Sequence, residues 1–298
     1  MSNVLKINKL TKTYGKLTAV DQLELNIEVG QVYGILGPNG SGKTTTLGMI
    51  LEVVAPTSGD FEWFEGVNNV KARQKIGAIL ETPCFYSYLT AVQNLRIVAH
   101  IKQCGTDRID DILKQVNLFD RKDDKFKTYS LGMKQRLSLA AALLSDPPVL
   151  MLDEPTNGLD PEGIAEVRQL IKDIAAKGKT IIMASHLLDE VQKVCTHFCI
   201  LRKGIKLHEG SVNDILGETN VVEVSSSDLD KLQTTLKTFD GVEKLEIESD
   251  FLRVYLNDAY SSLQLNQHCF ENGIALKKLV PQSKSLEQEF LKILKEND

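Results

Sequence analysis

The stretch YGILGPNGSGKTTTLGMI, from Tyr33 to Ile50, constrains the fold more than any other part of the chain. QVYGILG is a short continuous apolar run and reads as a strand buried on both faces. It runs into three glycines, Gly37, Gly40 and Gly42, and then into KTTTLGMILEVV, which reads as a helix. Strand, glycine loop and helix form the setting that a phosphate-binding loop requires, and Gly37 to Thr44 fits G-x-x-x-x-G-K-[S/T]. Glycines let the backbone wrap closely, so successive N–H groups can point at phosphate oxygens. The helix that follows adds the positive end of its dipole. Lys43 supplies charge for β- and γ-phosphates, and the Thr44 hydroxyl is placed to hold Mg2+.

A second buried strand, VLMLDEP, ends in two adjacent carboxylates. Burying both is costly unless they meet a cation or a reacting group. Asp153 is expected to hold Mg2+, directly or through water. Glu154 is expected to orient and deprotonate the attacking water.

Around these two segments strands and helices alternate. LELNIEV, Leu23 to Val29, has the apolar–polar alternation of a half-buried strand. TAVQNLRIVAHIKQCG predicts a helix capped by Thr90 and closed at Gly105. DRIDDILKQVNLF is amphipathic. SLGMKQRLSLAAALLSD predicts a helix with Ser130 at its N-cap, ended by Pro147 and Pro148. PEGIAEVRQLIKDIAAKG has proline in its first turn and glycine past its end. KTIIMASH reads as a strand and LLDEVQKVC as a helix. Such alternation argues for a parallel sheet covered on both faces. Composition changes near Ser211–Thr219. Beyond it the order is β-α-β-β-α-β, the order of a small ferredoxin-like unit, followed by a last helix, SLEQEFLKILKEN. Residues 1–215 and 216–298 are therefore expected to be two domains.

The composition of the 298 residues, 42% hydrophobic and 25% charged, is that of a globular protein. No membrane span is expected, because no apolar run approaches the roughly 18 residues required. Nor is a secretory signal expected in MSNVLKINKLTKTYGK, which has no apolar h-region. Cys84, Cys104, Cys195, Cys199 and Cys269 are odd in number and scattered, which fits a reducing compartment such as the cytoplasm. A net charge of −5 exerts no pull toward nucleic acid.

With these segments in order, the chain resembles the ATP-binding subunit of an ABC transporter over about residues 1–215. The resemblance implies a P-loop ABC-type ATPase domain with a RecA-like core, an antiparallel β subdomain and a helical subdomain. Tyr14, in KTYGKLTAV, matches the aromatic that stacks on adenine. Gly37, Pro38, Asn39, Gly40, Ser41, Gly42, Lys43 and Thr44, with Thr45, match the phosphate loop. YSLGMKQ, Tyr129 to Gln135, matches the signature loop, in which Ser130 and Gly132 stand where the family touches the γ-phosphate bound by the other protomer. Ser130, Leu131, Gly132 and Met133, with Asp160 of NGLD, match the contact between protomers. His186, in ASH, matches the switch histidine and joins Glu154 and Lys43 as catalytic residues. ATP and Mg2+ are the implied cofactors. The implied partners are a separate transmembrane permease and a second ATPase subunit, identical or related, with the chain peripheral on the cytoplasmic face of the cell membrane.

This sequence departs from the family twice. Glu81 stands where glutamine is usual for sensing Mg2+, and the usual Leu-Ser-Gly-Gly-Gln reads Tyr129-Ser130-Leu131-Gly132-Met133. Both changes resemble a bacterial branch that exports drugs, antibiotic peptides or lipids, as does the closing SLEQEFLKIL. The rival is a soluble ABC ATPase acting on ribosomes or nucleic acid. Ribosomal members usually carry two cassettes in one chain, and this one has room for one. CTHFC sets Cys195, His197 and Cys199 at alternate positions that would share a strand face and could hold zinc, but no second ligand pair is visible. The carboxyl-terminal unit has no catalytic grouping, and dimer contact is the reading favoured for it.

Overall fold

A computed structural model describes residues 2–66, 69–80, 84–215, 218–257, 259–283 and 286–296. The chain divides into two compact units, Met1–Val212 and Asn213–Glu296.

The first unit opens with β1 (Asn3–Tyr14) and β2 (Leu17–Glu28), followed by β3 (Val32–Leu36), α1 (Lys43–Ile50), β4 (Ser58–Trp63), α2 (Asn69–Gln74) and β5 (Ile76–Ile79). A helical stretch carries α3 (Ala91–Lys102), α4 (Ile109–Gln115) and α5 (Leu131–Leu143). Then come β6 (Val149–Asp153), α6 (Pro161–Ala176), β7 (Thr180–Ser185), α7 (Leu188–Val194), β8 (His197–Arg202) and β9 (Ile205–Ser211), with α8 (Val212–Ile215) at the boundary. The main sheet has the order β5-β6-β7-β3-β8-β9, parallel except for β9. Every residue of β3, β6 and β7 is buried, as the apolar runs predict for strands covered on both faces. A separate antiparallel sheet, β2-β1-β4, shares one apolar core with it, in which Leu5, Ile27 and Trp63 join Tyr33, Ile35 and Met151.

This arrangement fixes where the chemistry falls. In the parallel register Leu36 lies beside Ser185, and Asp153 lies beside Ala184. The residues that follow, Gly37, Glu154 and His186, therefore emerge at the same end of three neighbouring strands. Gly37 N–H donates to Ser185 O at 3.2 Å and Glu154 N–H to Ala184 O at 3.0 Å, which ties the three exits together. The carboxyl ends of such strands are where open α/β sheets bind ligands.

Several elements differ from the sequence reading. α1 stops at Ile50 rather than running through Val54, because the N–H groups of Val53 and Val54 both turn back to Gly48 O, at 2.9 and 3.0 Å. α5 ends at Leu143, before the prolines. Lys102 Nζ donates to Ala141 O at 3.2 Å and Arg108 donates to Leu144 O at 3.3 Å, so cations hold the last carbonyls. Thr90 and Ser130 do cap α3 and α5, accepting the N–H of Gln93 and Met133 at 3.2 Å each. β4 and β5 lie in a stretch that carries no clear periodicity. Cys195 is the C-cap of α7, not part of a strand. It packs against Gly34 while Cys199 lies in β8, so the three residues of CTHFC do not share one strand face. Burial pushes the Cys199 thiol up to about 12 and Cys195 higher, so both are thiols near neutrality. Among the described residues no three His, Cys, Asp or Glu side chains converge as a metal cluster.

The second unit holds β10 (Glu218–Ser226), α9 (Leu229–Leu236), β11 (Val242–Ile247), β12 (Leu252–Leu256), α10 (Ser262–Glu271), β13 (Leu276–Ser283) and α11 (Leu286–Glu296). The antiparallel sheet order β11-β12-β10-β13 is that of the ferredoxin-like β-α-β-β-α-β arrangement. Its own core joins Val222, Val224, Leu252 and Val254 to Leu232, Leu236, Leu265 and Cys269 of α9 and α10. Among the described residues no helix is long and apolar enough to cross a membrane.

Candidate functional site

A cleft of about 540 Å3 opens over the phosphate loop. Tyr14 lies along it, as do Asn39, Gly40, Gly42, Lys43, Thr44, Thr45 and Glu154. The loop's shape follows from its glycines. Gly42 has φ +106°, and a Cβ there would meet Ala19 O on β2. A Cβ on Gly37 would run into Leu201 O and reach Ser41 Oγ at 2.6 Å. Ser41, within the loop, is 2% exposed, and among the described residues its Oγ has no hydrogen-bond partner. Pro38 accepts from Ser41 N–H at 3.1 Å, which closes the turn.

Lys43 is buried at 6% exposure, an expensive place for an ammonium unless it is paired. Its Nζ donates to Gly37 O at 2.8 Å and Pro38 O at 3.2 Å, and lies 3.3 Å from Glu154 Oε1. The other carboxylate oxygen, Glu154 Oε2, is 2.8 Å from His186 Nδ1 and accepts His186 N–H at 3.4 Å. Glu154 itself has φ +48°, a left-handed backbone that a glutamate rarely adopts. Such conformations persist only where the surroundings over-determine them, and they concentrate at working sites. Three residues far apart in sequence, Lys43, Glu154 and His186, thus form one contiguous polar chain. Asp153, the last residue of β6, is 3% exposed just before Glu154. Glu81 lies outside the described residues.

Ser130, Leu131, Gly132, Met133 and Asp160 are not in this cleft. They line a second pocket, of about 450 Å3, together with Arg136 and Gly158. No lining residue is common to the two. Ser130 and Asp160 both cap helices here, Asp160 Oδ1 accepting Gly163 N–H at 3.0 Å at the start of α6. Two helix N-termini therefore face one concavity, a setting suited to an anion. Tyr129 fills the position of the usual leucine as a buried anchor. It is 4% exposed, and its hydroxyl donates to Arg121 O at 2.7 Å. Leu131 stays 45% exposed.

Four residues of the first cleft carry no sequence signal for nucleotide chemistry: Leu17, Thr18, Ala19 and Lys203. The first three begin β2, and Lys203 lies in the β8–β9 turn. Only the KG dipeptide at Lys203–Gly204 hints at a tight turn.

Fold and cleft together define a P-loop ATPase cassette. The sequence profile described as ABC transporter matches residues 20–157. The bacitracin transport ATP-binding protein BcrA of Bacillus licheniformis is 40% identical, over 99% of this chain and 98% of its own length. The lantibiotic transport ATP-binding protein SrtF of Streptococcus pyogenes is 39% identical over 70% of this chain and 93% of its own. Among solved structures, the dimeric post-hydrolysis state of the ATP-binding cassette MJ0796 bound to ADP and Pi is 28% identical, covers 70% of this chain and 98% of that one, and superposes with a TM-score of 0.62. The chain belongs to the ABC transporter family, as an ATP-binding subunit that hydrolyses ATP to drive transport.

Proposed function

We propose that this chain energises an exporter of antibiotic peptides by closing over MgATP with a second ATPase subunit beneath a separate transmembrane permease. The observation that carries the catalytic reading is the polar chain Lys43–Glu154–His186 at the ends of three adjacent parallel strands. Glu154 is the base that takes a proton from the attacking water, and His186 holds its carboxylate in place. Lys43 neutralises charge on the terminal phosphates. Thr44 and Asp153 offer hard oxygen donors of the kind Mg2+ prefers, and the ion would neutralise charge on the β- and γ-phosphates. Tyr14 offers its ring, 48% exposed, to the adenine.

The peptide cargo is supported by the relatives' transport of bacitracin and lantibiotics. Pairing is supported by the two pockets having no lining residue in common and by the dimeric state of the similar cassette MJ0796. A γ-phosphate held at Lys43 needs the signature pocket of another subunit to reach Ser130 and Gly132. The chain would then sit on the cytoplasmic face of the membrane, held there by its permease.

The Glu154→Gln variant tests this reading. Hydrolysis should fall by ~10²–10⁴, the usual size of a lost general base, while MgATP binding is kept. Trapped with MgATP in its host and solubilised gently, the tagged variant should bring down a polytopic membrane protein in stoichiometric amount. Wild-type turnover by the variant would remove Glu154 from the chemistry. Ribosomal proteins or DNA in place of the membrane protein would overturn the transport partner.

A further inference from the structure

Lys203 belongs to no motif, yet it faces the nucleotide cleft. It sits at the tip of the β8–β9 turn with φ +50°, a backbone conformation that residues other than glycine avoid. The turn is held there from two sides. Gly204 N–H donates to Ser41 O in the phosphate loop at 3.0 Å, and Asp21 N–H on β2 donates to Gly204 O at 2.9 Å. Gly204 also lies close under Ala19, whose carbonyl would be 2.9 Å from any added Cβ. The same carbonyl limits Gly42. Ala19 is therefore a shared stop against which both the phosphate loop and the Lys203 turn are set.

The consequence is positional. The cleft runs from Tyr14 to Lys43 and Glu154, and Ala19 and Lys203 are among the residues that line it. The terminal-phosphate end already has its own cation in Lys43, paired with Glu154. Lys206, the next lysine along the hairpin, is committed to Glu209 at 2.6 Å. Lys203 is exposed and, among the described residues, has no carboxylate partner. Lys203 thus offers an unpaired ammonium to a nucleotide cleft from a turn tied to Ser41 of the phosphate loop and resting on Ala19 of β2, and the anionic group of the nucleotide that Lys43 does not serve is the phosphate nearest the ribose.

We propose that Lys203 is a further nucleotide-binding residue, its ammonium pairing with the α-phosphate. The inference rests on the nucleotide-site reading above. An α-phosphate contact makes no distinction between ADP and ATP, which separates Lys203 from Lys43.

Calorimetric titration of the full chain with MgADP and MgATP tests it, using Lys203→Gln, Lys203→Glu and Lys203→Arg. Lys203→Gln should raise the Kd of both nucleotides by the same factor, ~3–10, the range of an exposed ion pair to a multiply charged ligand. Lys203→Glu should raise both further, and Lys203→Arg should stay near wild type. The effect should shrink in 0.5 M salt, because the cation is exposed. In steady-state assays KM should rise with kcat unchanged. Lys203→Asn keeps a residue at ease in the left-handed region, so the same factor there assigns the loss to charge and not to the turn. Equal Kd values for wild type, Gln and Glu would overturn the proposal. So would a loss confined to MgATP, or full affinity in Lys203→Asn. If the wild type binds neither nucleotide, the nucleotide-site reading itself fails, a result distinct from any of these.

Discussion

The phosphate loop and the signature loop each lead into a helix through glycine, and the glycines of the two loops answer to different constraints. Gly37 and Gly42 are demanded by their own chain. A side chain on either would collide with a backbone carbonyl, of Leu201 or of Ala19, and Gly42 needs a positive φ as well. Gly132 has ordinary backbone angles. The nearest atom to a Cβ added there is the Cα of Gly163, 4.0 Å away, which is ordinary van der Waals contact. Among the described residues nothing requires residue 132 to be glycine. The space it leaves opens into the second pocket. One loop is shaped from inside the subunit; in the proposed function the other leaves room for a phosphate brought by a partner subunit.

The largest effect should come from Gly37→Ala. Backbone, not a flexible side-chain tip, stands in the way, so the β3–α1 junction must shift. That should cost about 3 kcal/mol or more and abolish measurable nucleotide binding. Denaturant melts and calorimetry would check both, and a variant of wild-type stability that binds ATP would end the contrast at its first half.

Gly132→Ala should do the reverse. Residue 132 lies in the first turn of α5, where alanine is favoured over glycine by roughly 0.5–1 kcal/mol. The subunit should be as stable as wild type or slightly more so, with its affinity for MgATP unchanged. Hydrolysis should nevertheless drop by ~10-fold or more, because an oriented phosphate contact between subunits is crowded. Unfolding, or lost nucleotide affinity in the isolated subunit, would show that Gly132 serves its own chain after all. Full activity would show that the pocket receives nothing.

This contrast also explains which parts of the molecule were legible in the sequence. Residues bound by short-range geometry could be read directly. The glycines between β3 and α1, the acids ending β6, and the caps Thr90 and Ser130 are specified by neighbours within a few positions. The β-α-β-β-α-β order of the second unit follows from periodicity alone. What depended on distant partners could not be read. Ala19 shapes both Gly42 and Gly204, but an alanine has no chemistry to announce it. Lys203 reaches the cleft only because β8 is laid beside β3. Where α7 gives way to β8 could not be read, so Cys195 stood both as the last residue of the helical LLDEVQKVC and as the first of a conditional strand face in CTHFC. β4 and β5 escaped because one is largely exposed and the other only four residues long. The Lys43–Glu154–His186 contact was foreseeable as three roles but not as one connected chain, since parallel register is a property of the sheet.

Tyr129 offers the smallest and most selective test. It opens the signature loop, yet it acts inward, its hydroxyl bonded to Arg121 O and its ring against Phe126. Burial pushes its pKa from 10.0 to about 12. The native state therefore keeps a proton that the unfolded chain releases above pH 10, so this tyrosine's contribution is present below that pH and lost between about 10 and 12. Tyr129→Phe should cost about 1 kcal/mol at neutral pH, the worth of one hydrogen bond. It should also flatten the fall of stability between pH 10 and 12 relative to wild type. Affinity for MgATP should not move, because the first cleft does not contain this residue. A change in nucleotide affinity would mean that the two loops communicate within one subunit, and the division between inward and outward constraint would have to be drawn at Ser130 and Gly132 alone.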